Sequence, residues 1–276
     1  MRRRPSARPT DIATPLLTAL FLATSGCATT PRPRTIAPPT HGIDPAPMVT
    51  VPSGWMLLGS KAKEGEADER PQRKIWVSAF RIDAHEVTTS QYARCVTSGA
   101  CDTTHLPGDE GPGKAYAANA ACTWPAHATK NALHPLNCIS FSQAARYCHW
   151  VRKRLPTEAE WEKAARGEDG RRFPWGEAPP NCTRAILIWG GKGGCGRQHT
   201  WPVGSTTPAG DSPYGAHDMA GNVYEWVSDW YAKDAYAHAQ ERDPRGPAQG
   251  THHIVRGGSW YNYGNYLRAA YRTQIP

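Results

Sequence analysis

The chain has 276 residues, among them 26 glycines, 25 prolines and eight cysteines, and a formal net charge of +8. That length suits one large domain or two small ones. Arg2, Arg3, Arg4 and Arg8 against Asp11 supply three of the eight charges and the other Lys and Arg are scattered, so the clustered basic footprint of a nucleic-acid binder is missing and a solvated surface accounts for the rest.

The chain opens with a basic stretch, Met1 to Asp11, then a short apolar run from Leu16 to Ala23, then Thr24-Ser25-Gly26-Cys27. A basic start, a brief hydrophobic core and small residues before a cysteine form a secretory signal, and the run is too short to span a bilayer as a helix. Residues 1–27 are therefore expected to be a lipoprotein signal peptide with a lipobox, and Cys27 the acylated first residue of the mature chain. The box has Thr24 where leucine is usual, so an ordinary cleaved signal with an incidental cysteine is the alternative. Ala28, in place of aspartate, favours anchoring in an outer membrane, facing the periplasm or the surface. Residues 28–47 ("ATTPRPRTIAPPTHGIDPAP") carry almost no large apolar side chains, cannot bury enough surface to fold, and are expected to be a tether. The folded part is then 48–276.

"MVTVPSGWMLLGS" alternates apolar residues around a Pro-Ser-Gly sequence and reads as a hairpin, and "RKIWVSAFRIDAHEVT" as a further strand or pair. Thr88 with Gln91, Ser140 with Gln143 and Thr157 with Glu160 are capping boxes that start three helices, the first ending at Gly99 and the third at Gly167. Export permits disulfides, and seven cysteines after Cys27 leave an odd thiol. Cys95 and Cys101 lie close across a Gly-containing turn, Cys182 and Cys195 bracket a glycine-rich loop, and no CxxC or zinc spacing occurs. A bridge Cys95–Cys101 is expected. The pairing of Cys122, Cys138 and Cys148 stays open: Cys122–Cys138 is the remaining pair if Cys148, on the inward face of the second helix, is the unpaired thiol.

Beyond Gly167, Gly, Pro, Asn and Trp dominate. Eleven Trp against four Phe suit a domain of much irregular structure, because indole rings bury large apolar area while their N–H groups satisfy loop carbonyls. In "HDMAGNVYEWVSDWY" (217–231), Asp218 and Glu225 flank a Gly-Asn turn. Hard cations such as calcium take several oxygens from carboxylates and carbonyls, yet spacing alone favours the plainer reading, acids on an ordinary turn beside buried Trp226 and Trp230.

"VPSGWMLLGS", "DERP", "FRIDAHEVTTSQY", "HPLNCISFSQAARYC", "RLPTEAEWEKAARG", "FPWGE", "HDMAGNVYEWVSDWY" and "VRGGSW" occur in the order seen in formylglycine-generating enzymes and the wider sulfatase-modifying-factor family, and the chain resembles that family from Met48 nearly to its end. The resemblance implies an α+β fold, the formylglycine-generating-enzyme variant of the C-type-lectin-like fold, low in regular secondary structure. It also implies a structural calcium ion held by the side chains of Asp218 and Glu225 and the carbonyls of Gly221 and Val223. A second calcium site of many relatives would involve Asn181, but Cys182 and Cys195 occupy its neighbouring ligand positions, and a disulfide there is expected to replace the metal.

The family's oxidases hold Cu(I) with two cysteines at the third and eighth residues beyond the serine of the Gly-Gly-Ser turn, soft thiolates suiting a soft ion. Those positions count to Asn262 and Leu267, and no cysteine follows Cys195, so copper chemistry is not expected. The family pattern also runs on past Pro276 to a Gly-Phe-Arg strand; a truncated C-terminus or a differently supplied last strand is the expectation there.

The expected function is an exported, lipid-anchored binding or envelope-associated module without formylglycine-generating activity. Its groove would be lined by Ser259, Trp260, Asn262, Tyr263 and Arg268 and would take a peptide, glycan or envelope protein, although core packing accounts equally well for about half of the aromatics. The rival is an oxidase of different chemistry on the same scaffold. Ergothioneine-type sulfoxide synthases draw their iron-binding histidines from a further helical domain with no counterpart here, and pyoverdine-maturation relatives fit the compartment without a residue pattern that identifies their substrate. Hydrolase signatures, G-x-S-x-G and HExxH, are absent.

Overall fold

The structure, a computed structural model, describes residues 46–103, 122–124 and 130–276. The signal segment, Cys27 and residues 28–45 of the tether lie outside the described residues. The tether's last two residues, Ala46 and Pro47, already pack: Ala46 is buried and the Pro47 carbonyl accepts from the Ala84 N–H at 2.8 Å.

Four strands open the domain: β1 (Met48–Val51), β2 (Gly54–Leu58), β3 (Arg73–Val77) and β4 (Phe80–Asp83). β1 and β2 do not pair with each other as the hairpin reading expected. β1 pairs antiparallel with β4 (Val51 opposite Phe80) and β2 with β3 (Gly54 opposite Val77). The two ladders share one register, so 48–58 is one arm of a long ribbon and 73–83 the other. Pro52, taken for part of a turn, is an interruption of the arm, because proline has no N–H to give a ladder. Lys163 fills the gap: it is fully buried and its ammonium donates to the Pro52 and Gly54 carbonyls at 2.8 and 3.1 Å. Burial pushes its pKa down, the nearby Glu168 carboxylate opposing the shift.

The helices stand where the capping boxes put them: α1 (Thr89–Thr97), α2 (Phe141–Trp150) and α3 (Glu158–Arg166). Each has both reciprocal bonds of the box, satisfying two otherwise orphaned backbone donors. α1 and α3 stop before Gly99 and Gly167, whose φ angles of 75° and 72° only glycine adopts without strain. The last sheet has the order β5 (Glu225–Trp230), β6 (His253–Arg256), β7 (Thr273–Ile275). α3 is the centre of the core. Trp161, Ala164 and Ala165 pack with Val49 and Val51 of the ribbon, Met219, Val227 and Ile254. Seven strands of three to six residues and three helices of nine or ten leave most of the described chain in turns, the low regular content expected.

α3 also carries the main buried polar network. Arg256 reaches Glu158 at 3.2 Å and Glu162 at 2.5 Å. Arg272 grips Glu158 through two bonds of 2.9 and 2.8 Å, and Arg166 meets Glu162 at 3.0 Å. The disulfides are Cys95–Cys101, Cys122–Cys138 and Cys182–Cys195. Cys148 stands outside all three and is half-buried.

Candidate functional site

The site region is assembled from the Gly-Gly-Ser turn after β6, the loop closed by Cys182–Cys195, and the Gly-Asn turn before β5. Gly257 and Gly258 take φ angles of 89° and 74° in succession, and a Cβ on Gly258 would stand 2.9 Å from Leu267 Cδ1. Both constraints require glycine. The reversed chain is then stitched to its neighbours. The Trp260 N–H donates to the Asn222 carbonyl at 2.9 Å, the Gly194 N–H to the Trp260 carbonyl at 2.8 Å, and the Ile188 N–H to the Asn262 carbonyl at 2.8 Å. The disulfide thus fixes a loop that itself carries the Gly-Gly-Ser turn.

Asn262 and Leu267 differ sharply. The Asn262 carboxamide accepts from Ser259 Oγ at 2.6 Å and hydrogen bonds Tyr224. Leu267 is fully buried in an apolar cluster with Phe173, Ala185, Leu187 and Ala220. An amide occupied by a hydroxyl and an alkyl group sealed in a core supply no soft ligand.

Of the five expected groove residues, Ser259 and Asn262 engage each other, and Trp260 covers Gly193, where an added Cβ would lie 2.8 Å from the indole. Tyr263 is 58% exposed. Arg268 is committed elsewhere: its guanidinium grips the Glu69 carboxylate at 2.5 and 2.7 Å. Trp189 and Tyr261, which the sequence reading did not single out, are also exposed. Trp189 is next to Ile188, the residue bonded to Asn262, so the rings of 189, 261 and 263 belong to hydrogen-bonded neighbours.

The acidic segment holds more than the two expected carboxylates. Asp218 is buried with φ 55°; it accepts from the Gly204 N–H and, at 3.5 Å, from Thr206 Oγ1. Glu225 accepts from Trp161 Nε1 at 3.0 Å. Glu86 joins them, accepting from Asn222 Nδ2 at 2.8 Å and the Val223 N–H at 3.2 Å. Burial raises all three pKa values, Glu225 to about 7, and the charges of Asp218 and Glu225 push Glu86 up further. The main opposing causes are hydrogen bonds, from Asn222 and the Val223 N–H to Glu86, from the Gly204 N–H to Asp218 and from Trp161 to Glu225, with the charges of His217 and His85 also lowering Asp218; no Lys or Arg is among them.

This donor set fits a hard cation. No hydrogen bond among the described residues ends on the carbonyl of Gly221 or Val223, which leaves both oxygens unspent. Gly221 cannot be replaced: φ is 88°, and a Cβ would come 2.4 Å from the Ile186 carbonyl oxygen. Among the described residues no three carboxylate, imidazole or thiol groups converge tightly enough to hold an ion by themselves, so backbone oxygens would complete the set, as calcium accepts. At the second expected site Asn181 Oδ1 accepts from Thr183 N–H and Oγ1 at 3.1 and 2.7 Å beside the Cys182–Cys195 bridge. Glu86 left no sequence signal: it lies in "DAHEV", 136 residues from Asn222.

The family described as sulfatase-modifying factor enzyme 1-like domain matches residues 34–276. The formylglycine-generating enzyme of Thermomonospora curvata is 35% identical, over 82% of this chain and 87% of that protein. The serine/threonine-protein kinase pkn1 of Chlamydia caviae is 37% identical over 82% of this chain, which spans only 35% of the length of that kinase. Among solved structures, PvdO from Pseudomonas aeruginosa superposes with a TM-score of 0.65 at 25% identity, covering 84% of this chain and 89% of that one.

Proposed function

The chain belongs to the sulfatase-modifying factor enzyme 1-like family, and from that premise we propose a calcium-stabilised binding module, exported and lipid-anchored, that does not generate formylglycine. The observation that carries the reading is the pair Asn262 and Leu267. At the positions that would offer two thiolates, one side chain is a hydrogen-bonded amide and the other is sealed in the core. Repair by another cysteine of the described domain is closed off, since six are bridged and Cys148 sits on α2.

Support for calcium comes from three carboxylates with raised pKa values, the buried Glu86 and Asp218 and the half-buried Glu225, and from two unspent carbonyls. A divalent ion there would relieve the like-charge repulsion and tie the Gly-Asn turn to β5; its role would be structural. The basic start and small-residue box before Cys27 support the anchor and, with it, a location in the bacterial envelope, where a peptide, glycan or envelope protein would be the ligand class. Fatty-acid labelling lost in Cys27→Ala would bear out that part.

The test of function is direct. The purified domain, loaded with copper under oxygen and given a sulfatase-motif cysteine peptide, should leave the peptide's sulfur in place by mass spectrometry. Turnover to formylglycine would return the chain to the oxidases of its family.

A further inference from the structure

The loop closed by Cys182–Cys195 and the chain after the Gly-Gly-Ser turn carry exposed rings and exposed cations side by side. Trp189, Tyr261 and Tyr263 are three of the four exposed aromatic residues among those described, and the fourth, Trp55, has Lys74 over its ring. We propose that this face binds an acidic sugar, its ring laid against the exposed indole and phenol groups and its carboxylate or phosphate held by Lys192 and Arg197.

The parts surround two glycines. Trp189 and Lys192 bond each other's backbone in both directions, at 2.9 and 3.1 Å, across Gly190 and Gly191. Those glycines take φ angles of 58° and 77°, the geometry of a two-residue hairpin turn. An added Cβ on either would meet nothing within 4 Å, so the turn stands clear of its surroundings. At its base a Cβ on Gly193 would lie 2.8 Å from the Trp260 indole and 3.1 Å from Gln198 Oε1. Trp260 meets Tyr261 edge-on at 5.1 Å. The Arg197 guanidinium lies 3.8 Å over the Trp201 ring, and Trp201 Nε1 donates to the Gly194 carbonyl at 2.9 Å. Indole, phenol, ammonium and guanidinium thus stand around Gly193 and Gly194.

The charges decide the sign of the ligand. Between Glu177 and Asp211, and again beyond Asp243, the chain has no Asp or Glu. Lys192 and Arg197 are exposed, and neither pairs with a carboxylate of the described residues. The carboxylates that approach through packed elements are already engaged. Glu177 accepts from the Arg172 N–H at 2.9 Å, with the Arg184 guanidinium on the Pro179 carbonyl two residues further on. Glu86 stands behind Asn222, whose amide bonds both Glu86 and the Trp201 backbone, and it belongs to the cluster assigned to calcium. The positive field is felt at His134, whose pKa is lowered by burial and then by the charges of His199 and Arg197.

The backbone favours a sugar over an acidic peptide. An extended peptide is held by free main-chain groups at a strand edge, and here most are spent. The Ile188 N–H goes to Asn262, the Gly194 N–H to Trp260, the Cys195 N–H to Leu187 and the Trp260 N–H to Asn222, while Trp189 and Lys192 satisfy each other. What the face still offers is side chains: ring faces, two cations, and the exposed amides of Gln198 and Asn265. The electron-rich faces of Trp and Tyr attract the weakly positive C–H groups of a pyranose. An ammonium and a guanidinium pair with its anionic group, and amides give and accept hydrogen bonds with its hydroxyls.

The inference rests on the reading of the domain as a binding module and names its ligand class; its test is separate. A glucuronate tetrasaccharide, glucose 6-phosphate, uncharged cellotetraose and tetraglutamate are titrated into the purified protein by calorimetry, with sedimentation on phosphatidylglycerol vesicles in parallel. Saturable binding of one or both acidic sugars is expected, weakened by salt, with cellotetraose about tenfold weaker or more and tetraglutamate unbound. The two acidic sugars separate a carboxylate source from a phosphate source. Trp189→Ala should weaken binding about tenfold, and Lys192→Glu, which reverses a charge, by more. Both side chains are exposed, so neither change should unfold the protein. No saturation by either acidic sugar, equal binding of cellotetraose or tetraglutamate, binding to the vesicles alone, or unchanged affinity in Trp189→Ala would each overturn the proposal. Formylglycine turnover would defeat the non-oxidase reading and leave this titration untouched, whereas a failed titration without turnover would defeat the sugar site alone.

Discussion

Two buried polar clusters meet within one core, and they are built on opposite principles. Around α3, Glu158 and Glu162 are matched by Arg166, Arg256 and Arg272 in a network of ion pairs. Around the Gly-Asn turn, the charges of Asp218 and Glu225 act on Glu86 and that of Asp218 on Glu225, with no Arg or Lys among the main causes that oppose them. The first cluster is complete within the chain and needs nothing from solution. The second leaves negative charge uncompensated in a place where isolated charge is costly, and its three carboxyls hold their protons to higher pH as a result. A cluster whose carboxylates all have guanidinium partners reads as architecture; one whose carboxylates have none asks for a cation.

The largest effect should come from breaking the complete cluster. Arg256→Met removes the guanidinium that Glu158 and Glu162 share, leaving Glu158 to Arg272 and Glu162 to Arg166, and should cost toward the low end of about 3–5 kcal/mol in urea unfolding. A loss below about 1 kcal/mol, the range of an exposed pair, would erase the distinction between the clusters.

Opening the Cys182–Cys195 loop, with a sequence separation of 13, should cost about 3 kcal/mol. It should also loosen the Gly-Gly-Ser turn bonded to that loop, seen as lost amide protection at Asn262, Gly194 and Ile188. Protection retained in the double serine variant would show that the turn stands without the bridge.

The acidic cluster sets a pH dependence of definite sign. In the folded protein the Glu225 pKa is raised to about 7 by burial, and the Asp218 charge adds to the rise. Between the ordinary carboxyl value near 4.5 and about 7 the folded state keeps a proton that the unfolded state has released. Stability of the chelated protein should therefore be fullest below that window and fall as pH rises through it. Calcium should reverse the slope, because metal binding displaces the proton. A flat profile with chelator present would place the carboxylates in water and dissolve the comparison.

The smallest effect is local. Ser140→Ala removes one partner of the α2 capping box and should cost about 1 kcal/mol, equally with and without calcium. A calcium-dependent cost would couple α2 to the acidic cluster and sharpen the comparison in an unexpected place.

What the sequence could say divides along the same line. The capping boxes at Thr88, Ser140 and Thr157 were legible because a box is closed within four residues. Cys182 and Cys195 were legible because their glycine-rich loop brings near neighbours together. The long ribbon was missed because Pro52 resembles a turn residue, and only the buried Lys163 from α3 shows it to be a gap in a strand. Asp218 and Glu225 followed from the family's order of motifs, whereas Glu86 comes from a segment far away along the chain and carries no spacing signal. Arg268 was placed in the groove by its position after the Gly-Gly-Ser turn; its engagement with Glu69 depends on a contact 199 residues distant. Short-range chemistry is written in the letters, and long-range charge balance appears only once the chain is folded.

The central claim, that the uncompensated acidic cluster is a calcium site, is tested most directly by calorimetric titration of calcium into the chelator-stripped domain, above the range in which Glu225 titrates, with melting followed in parallel. A single saturable heat and a raised melting temperature are expected in the wild type, with both strongly diminished in Glu225→Gln. A well-folded wild type that shows no heat and no shift, or a Glu225→Gln variant that binds as the wild type does, would contradict it.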